Sequence, residues 1–344
     1  MPRCLIALGS NLGDRADTLQ RALRAMARLA HVRLLARSRW HETIPIGGPS
    51  GQGPYLNGAV LVETRLPARQ LLRCLLEIES RLGRRRPQSP ASTSLAGSGD
   101  LAGSMGLAGA RWSARTIDLD LLLYGVDCYE SRLLRLPHPR MSFRRFVLEP
   151  AVEIAGWMLH PTSGTVLARL LWRLNTARDD VAIVATGSQA STRQAAEWLS
   201  RKLALTLGCR WWKHEDSVGP CQVPADKLIY MLQPCREFNG AQPTCFRQEE
   251  ERAKHVLART KLVIVWENRP VKDRMEAATE AQMRSDPMTA GSPISRGPLA
   301  LILTTDAQQA LAEALAAIRA IWPAGAIGSA EAPSPATSPQ AQNV

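Results

Sequence analysis

The 344-residue chain has few aromatic residues and a shortage of acidic ones. Phe, Tyr and Trp make up 5% of it, with only four Phe and four Tyr, and 43 Lys and Arg outnumber 31 Asp and Glu. The formal charge of +12 favours an anionic partner such as a nucleotide, a nucleic acid or a membrane surface. The aromatic-rich strand typical of RNA-recognition domains is missing, which argues against the RNA option.

Long hydrophobic runs and paired cysteines are lacking as well. The apolar run 4–8 is too short for a signal peptide, and no later stretch approaches the length of a membrane span. The seven cysteines are odd in number and include no Cys-x-x-Cys pair, which indicates reduced thiols and disfavours a disulfide framework or a zinc site. We therefore expect a cytoplasmic protein with no membrane partner.

Two aspartates, Asp118 and Asp120, are predicted to share one face of a strand. Side chains alternate along a strand, so the apolar residues between and beyond the aspartates should face a core; these are Ile117, Leu119, Leu121 and Leu123. Mg²⁺ is commonly held by one or two carboxylates together with substrate phosphates, and Arg111 and Arg115 are close enough in sequence to contact such phosphates. A salt-bridged surface patch on an edge strand would explain the same pattern.

The first half of the chain predicts an α+β fold. Strands are expected at 4–8, 32–40, 56–63 and 117–124, and helices at 18–30 and 67–82, with Gly83 as a left-handed cap. The order β-α-β-β-α-β is typical of a ferredoxin-like unit, an antiparallel sheet with helices on one face. The segment 88–110, rich in Gly, Ala and Ser, is expected to be a mobile insertion, and its place between two arginine groups suggests a lid.

The second half predicts a separate, doubly wound α/β domain. Strands at 181–186, 228–232, 262–266 and 299–304 are interspersed with helices at 191–205 and 307–321. The domain weakly resembles P-loop nucleoside or nucleotide kinases but lacks the phosphate-loop lysine, so a structural or regulatory role is favoured. We expect domains at 1–175 and 180–323 and a disordered tail at 324–344, with the first domain able to act without the second.

Short motifs along the first half carry a resemblance to a known family. They are Gly9-Ser10-Asn11-Leu12-Gly13, Thr43, Pro45 and Gly47, Tyr55-Leu56-Asn57, Ile78-Glu79, Gly83-Arg84, 115–120, 137–141 and 144–146. In this order and spacing they resemble the 6-hydroxymethyl-7,8-dihydropterin pyrophosphokinases of folate biosynthesis. The resemblance implies transfer of a diphosphate from ATP to the pterin hydroxymethyl group, with release of AMP. A nucleic-acid-binding protein built on a basic ferredoxin-like domain is the alternative.

The resemblance also implies a role for each site residue. Two Mg²⁺ ions would be bound by Asp118 and Asp120, with ATP as co-substrate, and Arg84 and Arg115 would be catalytic. The pterin would be held by Thr43, Pro45, Ile46, Tyr55, Asn57 and Phe146, with Tyr55 and Phe146 stacking on its two faces. ATP would be held by Glu79, Arg86, Arg111, Trp112, Leu121, His138 and Arg144.

Overall fold

The computed structural model describes residues 1–46, 51–84, 115–131, 133–186, 190–213, 228–232, 260–267, 297–302 and 306–321. The predicted insertion 88–110 and the predicted tail 324–344 lie outside these ranges. Within them, no helix combines the length and apolar character that crossing a membrane requires.

An antiparallel sheet with two helices forms the start of the chain. Its strands are β1 (Arg3–Ser10), β2 (Val32–Arg37), β3 (His41–Thr43), β4 (Tyr55–Thr64) and β5 (Asp118–Tyr124), with α1 (Arg15–Ala27) after β1 and α2 (Ala68–Arg81) after β4. The strand order is β2-β4-β1-β5, with β3 also paired to β4. This is the order of a ferredoxin-like unit. The short strand β3 lies where a loop was predicted.

The helices cover one face of this sheet because each carries an apolar stripe. Leu19, Leu23 and Met26 of α1 and Leu71 and Leu75 of α2 are buried. They share a core with the inward-facing residues of the sheet, among them Ile6, Leu8, Val60, Val62, Leu119 and Leu121. Ala30, predicted to continue the α1 stripe, lies beyond the end of the helix and is exposed.

Leu123 lies in a core, as predicted, but the prediction that it shares a face with Leu119 and Leu121 is wrong. Leu121 is paired with Ile6, but Leu123 is paired with Leu5, so Leu122 is an extra residue on β5. Such a bulge moves the following side chains to the opposite face. Leu122 and Leu123 therefore join the core on the other side of the sheet.

That other side is covered by α3 (Arg145–Ala155) and, behind it, α4 (Leu167–Thr176). Two short hairpins accompany these helices, formed by β6 (Tyr129–Glu130) with β7 (Arg135–Leu136) and by β8 (Leu159–His160) with β9 (Thr165–Val166). Helix α3 packs mainly on β4. It therefore covers less of the ends of β1 and β5, which carry Gly9 and Asp118, and a ligand could bind there.

A second sheet, parallel throughout, follows α4. Its strands are β10 (Arg178–Thr186), β11 (Arg210–Lys213), β12 (Leu228–Leu232), β13 (Thr260–Glu267) and β14 (Leu299–Ile302), in the order β11-β12-β10-β13-β14. The helices α5 (Ala190–Leu207) and α6 (Ala307–Ile321) pack on it and on each other. Strand β11 was not predicted from the sequence.

One continuous core joins the two sheets. It contains Leu5 and Leu61 of the first sheet, Leu148 of α3, and Ile183 and Ile264 of the second sheet. Only Ala177 separates α4 from β10. The expectation that the first half acts independently therefore meets a physical obstacle, since removing the second half would expose apolar surface that is now buried.

Candidate active site

A row of four paired residues crosses the first sheet at one end. Asp118 of β5 is opposite Gly9 of β1, Gly9 is opposite Asn57 of β4, and Asn57 is opposite His41 of β3. Residues directly opposite each other in antiparallel strands point to the same face. The row therefore places a carboxylate and an amide on one face, with a glycine between them. Asp120 follows on that face, opposite Ala7.

Gly9 keeps the centre of this row open. A Cβ at this position would be 3.0 Å from the Asn57 Oδ1 and 4.0 Å from the Tyr55 ring. A larger side chain would crowd Asn57 and fill the space between the two polar groups. The sequence signal was present in the Gly-Ser-Asn motif, but the predicted strand 4–8 stopped before it, whereas Gly9 and Ser10 are the last residues of β1.

Asp118 is held by two arginines. Its Oδ1 accepts from Arg84 Nη1 at 2.6 Å and its Oδ2 accepts from Arg115 Nη1 at 2.8 Å. Burial by itself would raise the pKa of Asp118, but the guanidinium groups of Arg84 and Arg115 outweigh burial and lower that pKa below its ordinary value. Asp118 is therefore a firmly ionised carboxylate with two cations beside it.

Asp120 has the opposite environment two residues further along β5. Burial, and then the negative charge of Asp118, raise the pKa of Asp120 to about 7. Among the described residues Asp120 makes no hydrogen bond or ion pair. A divalent cation shared with Asp118 would relieve this repulsion, and carboxylate oxygen is the ligand that Mg²⁺ prefers. A pair of carboxylates fits Mg²⁺ whose remaining ligands are phosphate oxygens and water.

Glu79 links α2 to β5 through a buried hydrogen bond. This residue is 1% exposed, and its Oε1 accepts from the Leu119 backbone N–H at 2.7 Å and pairs with Arg84. Glu79 thus faces into the protein and positions Arg84 beside Asp118. The structure places it behind the carboxylate pair, a different setting from the direct contact with ATP that the resemblance implies.

The end of α2 explains how Arg84 reaches this position. Gly83 has φ +89°, its N–H donates to the Ser80 carbonyl at 3.1 Å, and the Arg84 N–H donates to the Glu79 carbonyl at 3.0 Å. These two bonds form a Schellman motif, which reverses the chain at the helix end. The predicted left-handed cap at Gly83 is confirmed, and it turns Arg84 back towards the sheet.

Asn11 and Ser10 anchor the segment that carries Arg115. The Asn11 Oδ1 accepts from the Arg115 N–H at 2.7 Å, and the Asn11 N–H donates to the Arg115 carbonyl at 3.2 Å. The Ser10 hydroxyl donates to the Thr116 carbonyl at 2.6 Å. Neither residue was predicted to belong to the site. The signal that could have found them is a pair of polar residues directly after a buried strand.

The residues predicted to hold the pterin lie at the β3–β4 side of the row. Asn57 Nδ2 donates to the Thr43 hydroxyl at 2.7 Å, and Thr43 is paired with Tyr55. Burial raises the pKa of the Tyr55 phenol, so the ring stays neutral. Pro45 and Ile46, both partly buried, follow β3 directly.

Phe146, the predicted stacking partner of Tyr55, lies in the first turn of α3 and is partly buried. The Arg144 guanidinium carbon is 5.4 Å from the centre of its ring, a cation–π distance. Because α3 packs over β4 and β3, Phe146 belongs to the element that covers the strands carrying Tyr55 and Thr43. The stacking arrangement itself stays a prediction.

His138 and Arg144, from the segment before α3, lie within electrostatic reach of the carboxylate pair. Burial, followed by the charges of Arg144 and Arg140, lowers the pKa of His138 to about 3, so this imidazole is neutral. Burial and the neighbouring Arg140 lower the pKa of Arg144 to about 9, against the opposing influence of Asp120. The backbone N–H of His138 donates to the backbone carbonyl of the bulged Leu122 at 2.9 Å, which links this segment to β5.

The remaining predicted ATP contacts have different positions. The Leu121 side chain is buried in the core on the helix side of the sheet, away from the carboxylates, so only its backbone could meet a ligand there. Arg86, Arg111 and Trp112 lie outside the described residues.

Two carboxylates on one sheet face, with arginines beside them, could hold a divalent cation together with phosphate groups. Residues 5–156 match the family model described as 7,8-dihydro-6-hydroxymethylpterin-pyrophosphokinase. The chain belongs to this family, as its similarity to curated relatives also shows.

Three relatives are 2-amino-4-hydroxy-6-hydroxymethyldihydropteridine pyrophosphokinases. The protein from Synechocystis is 34% identical over 167 residues, covering 48% of this chain and 73% of that protein. The protein from Haemophilus influenzae is 35% identical, covering 46% and 84%, and that from Bacillus subtilis is 38% identical, covering 43% and 75%. A crystal structure of an HPPK-DHPS in complex with substrates matches at 9% identity and a TM-score of 0.33, covering 88% of this chain and 76% of that one, too weak a likeness to carry an argument.

Proposed function

We propose that Asp118 and Asp120 are the metal seat at which this chain transfers a diphosphate group from ATP to the hydroxymethyl group of 6-hydroxymethyl-7,8-dihydropterin. The activity is that of the family to which the chain belongs, in folate biosynthesis. The observation that carries the site assignment is the carboxylate pair beside the open position of Gly9. The nucleic-acid-binding alternative is not favoured.

In the reaction the hydroxymethyl oxygen attacks the β-phosphorus of ATP. The bond between that phosphorus and the oxygen bridging to the α-phosphorus breaks, AMP leaves, and the hydroxyl proton is released. Mg²⁺, of which two ions are proposed, would supply charge neutralisation on the phosphates and a fixed orientation for the transferred group. Such transfers depend mainly on positioning and electrostatic stabilisation.

Arg84 and Arg115 are proposed to neutralise charge that develops on the phosphates. Their ion pairs with Asp118 place both guanidinium groups at the metal seat. A guanidinium can serve a carboxylate and a phosphate oxygen at once, because it carries five N–H donors. The neutral His138 and the partly buried Arg144 are proposed to contact ATP from the segment before α3. Arg86, Arg111 and Trp112 retain their proposed ATP contacts.

The pterin is proposed to bind at the β3–β4 side of the row, where Asn57 and Thr43 offer hydrogen bonds. Tyr55 and Phe146 would stack on its faces, and Pro45 and Ile46 would close the rim. This side is next to the carboxylates, since Gly9 alone separates Asn57 from Asp118 across the sheet. The hydroxymethyl group could then point towards the phosphates.

The division into domains at 1–175 and 180–323 remains part of this proposal, as does a doubly wound arrangement of the second one. The parallel sheet supports an α/β class for it. Residues 187–189, which connect the predicted strand 181–186 to the predicted helix 191–205, lie outside the described ranges. A structural or regulatory role is proposed for this half.

The test is an assay of AMP release from ATP and Mg²⁺ with and without the hydroxymethyl pterin. Asp118→Ala and Asp120→Ala should each nearly abolish pterin-dependent AMP release in a folded protein. Asp17→Ala is the matched control, because Asp17 lies on α1 and pairs only across its own surface with Arg21 and Arg24 in the contacts described. Full turnover in either site variant would refute the metal seat.

A further inference from the structure

Ser142 links the first half of the chain to the edge of the second sheet by two hydrogen bonds. Ser142 is 2% exposed, and its hydroxyl donates to the Leu299 carbonyl at 2.8 Å and accepts from the Leu299 N–H at 3.1 Å. Leu299 lies on β14, the terminal strand of the parallel sheet. Edge strands carry backbone groups that need partners, and here a single side chain satisfies a donor and an acceptor together.

Helix α6 meets the same segment from the second half. Arg140 Nη2 is 4.0 Å from Glu313 Oε2, and Arg144 and Phe143 line a cleft together with Glu313, Ala316 and Ala317 of that helix. Phe143 is buried in the shared core. The segment that carries Arg144 therefore has the first sheet on one side and α6 and β14 on the other.

We infer that the second half of the chain positions Arg144 for the nucleotide, with Ser142 as the positioning residue that fixes the segment to β14. The inference rests on the proposed function, in which Arg144 contacts ATP. Arg144 is partly buried, so its guanidinium has reduced access to water and takes much of its orientation from the protein around it. Ser142 is two residues away, in the turn that leads into α3. This gives the second half a role in substrate binding.

The experiment compares Ser142→Ala with the parent in the full chain. Binding of α,β-methylene-ATP with Mg²⁺ is measured by titration calorimetry, together with KM for ATP and kcat. The Kd and KM should rise about fivefold to tenfold, the effect of losing one hydrogen bond on an equilibrium constant. The kcat should change little, because Asp118 and Asp120 lie on β5. Ser142→Thr, which keeps the hydroxyl, should restore nucleotide affinity.

Ser163→Ala is the matched control. Ser163 is also fully buried, but its hydroxyl donates to the His160 carbonyl at 3.3 Å within its own turn. Loss of that bond should lower thermal stability and leave nucleotide affinity unchanged. If Ser142→Ala behaves in the same way, Ser142 is merely structural and the inference is overturned.

A second variant covers the case in which Ser142→Ala does not fold. Glu313→Gln weakens the contact of α6 with Arg140 and should raise the Kd for the analogue, whereas Glu197→Gln, which affects a pair with Arg201 within α5, should not. An unchanged Kd in Glu313→Gln would then overturn the inference. Absence of pterin-dependent AMP release in the parent would refute the proposed function, while the binding comparison would still decide the positioning role.

Discussion

Replacing Asp120 by asparagine should raise the free energy of unfolding of the metal-free protein at neutral and alkaline pH. The reason is that the folded protein holds this carboxylate in an unfavourable place, partly buried and beside Asp118, with its pKa raised from 3.8 to about 7. Asparagine has a similar shape and no charge. The same change should nearly abolish turnover, so the site would gain stability as it loses function.

The magnitude follows from the shift in pKa. A difference of about three units corresponds to about 4 kcal/mol at 1.36 kcal/mol per unit. Asp120 is partly exposed, so water screens part of the repulsion, and we expect a measured gain of about 1 to 2 kcal/mol. The sign follows from proton binding. Between the unfolded pKa and the folded one, the folded state binds more protons, so stability is lost as pH rises through this window.

The gain in Asp120→Asn should therefore be small near pH 4 and reach its full size above about pH 7. Asp118→Asn is the control of opposite sign, because pairing with Arg84 and Arg115 lowers the pKa of Asp118. Its carboxylate stabilises the fold above its unfolded pKa, and that contribution is lost as pH falls through the lower, folded value. Asp118→Asn should therefore destabilise at neutral pH.

The assay is urea unfolding followed by circular dichroism, in EDTA, at several values between about pH 4.5 and pH 8.5. Each variant is compared with the parent at the same pH, so that titration of other groups, such as His138, cancels. A loss of stability in Asp120→Asn at the alkaline end, or a gain that does not depend on pH, would refute the reasoning. So would a change of the same sign in both variants.

Three further predictions concern the surroundings of the metal seat. Tyr55→Ala should weaken pterin binding by roughly 1 to 3 kcal/mol and ATP binding far less; equal losses in calorimetry would contradict the stacking proposal. In urea unfolding, Glu79→Ala should lower the free energy of unfolding by about 3 to 5 kcal/mol, because it breaks a buried ion pair. Glu77→Ala, on the exposed side of α2, is the control and should lower it by less than about 1 kcal/mol. Gly83→Ala and Gly164→Ala should each lower the free energy of unfolding by about 1 to 2 kcal/mol, because both glycines have a left-handed backbone. Only Gly83→Ala should reduce turnover, since the next residue is Arg84 of the site, and equal turnover in the two variants would contradict a role of the helix cap in positioning Arg84.

Local pattern accounts for what the sequence predicted well. Asp118 and Asp120 share a face because side chains alternate in a strand, and this holds before the bulge at Leu122. The stripes of α1 and α2 and the cap at Gly83 follow from helical spacing and from the backbone freedom of glycine. These local patterns were sufficient to predict the order of strands and helices in the first half, and that order indicates a ferredoxin-like unit.

Only the tertiary structure decided the features that depend on contacts distant in sequence. The bulge that moves Leu123 to the opposite face arises from pairing with β1, and the inward direction of Glu79 arises from its bond to the Leu119 N–H. The pKa values of two aspartates on one strand shift in opposite directions because Arg84 and Arg115 make ion pairs with Asp118, whereas burial and the charge of Asp118 dominate at Asp120. Likewise, Ser142 meets β14 across 157 positions of sequence, and no local pattern carries information about such a partner.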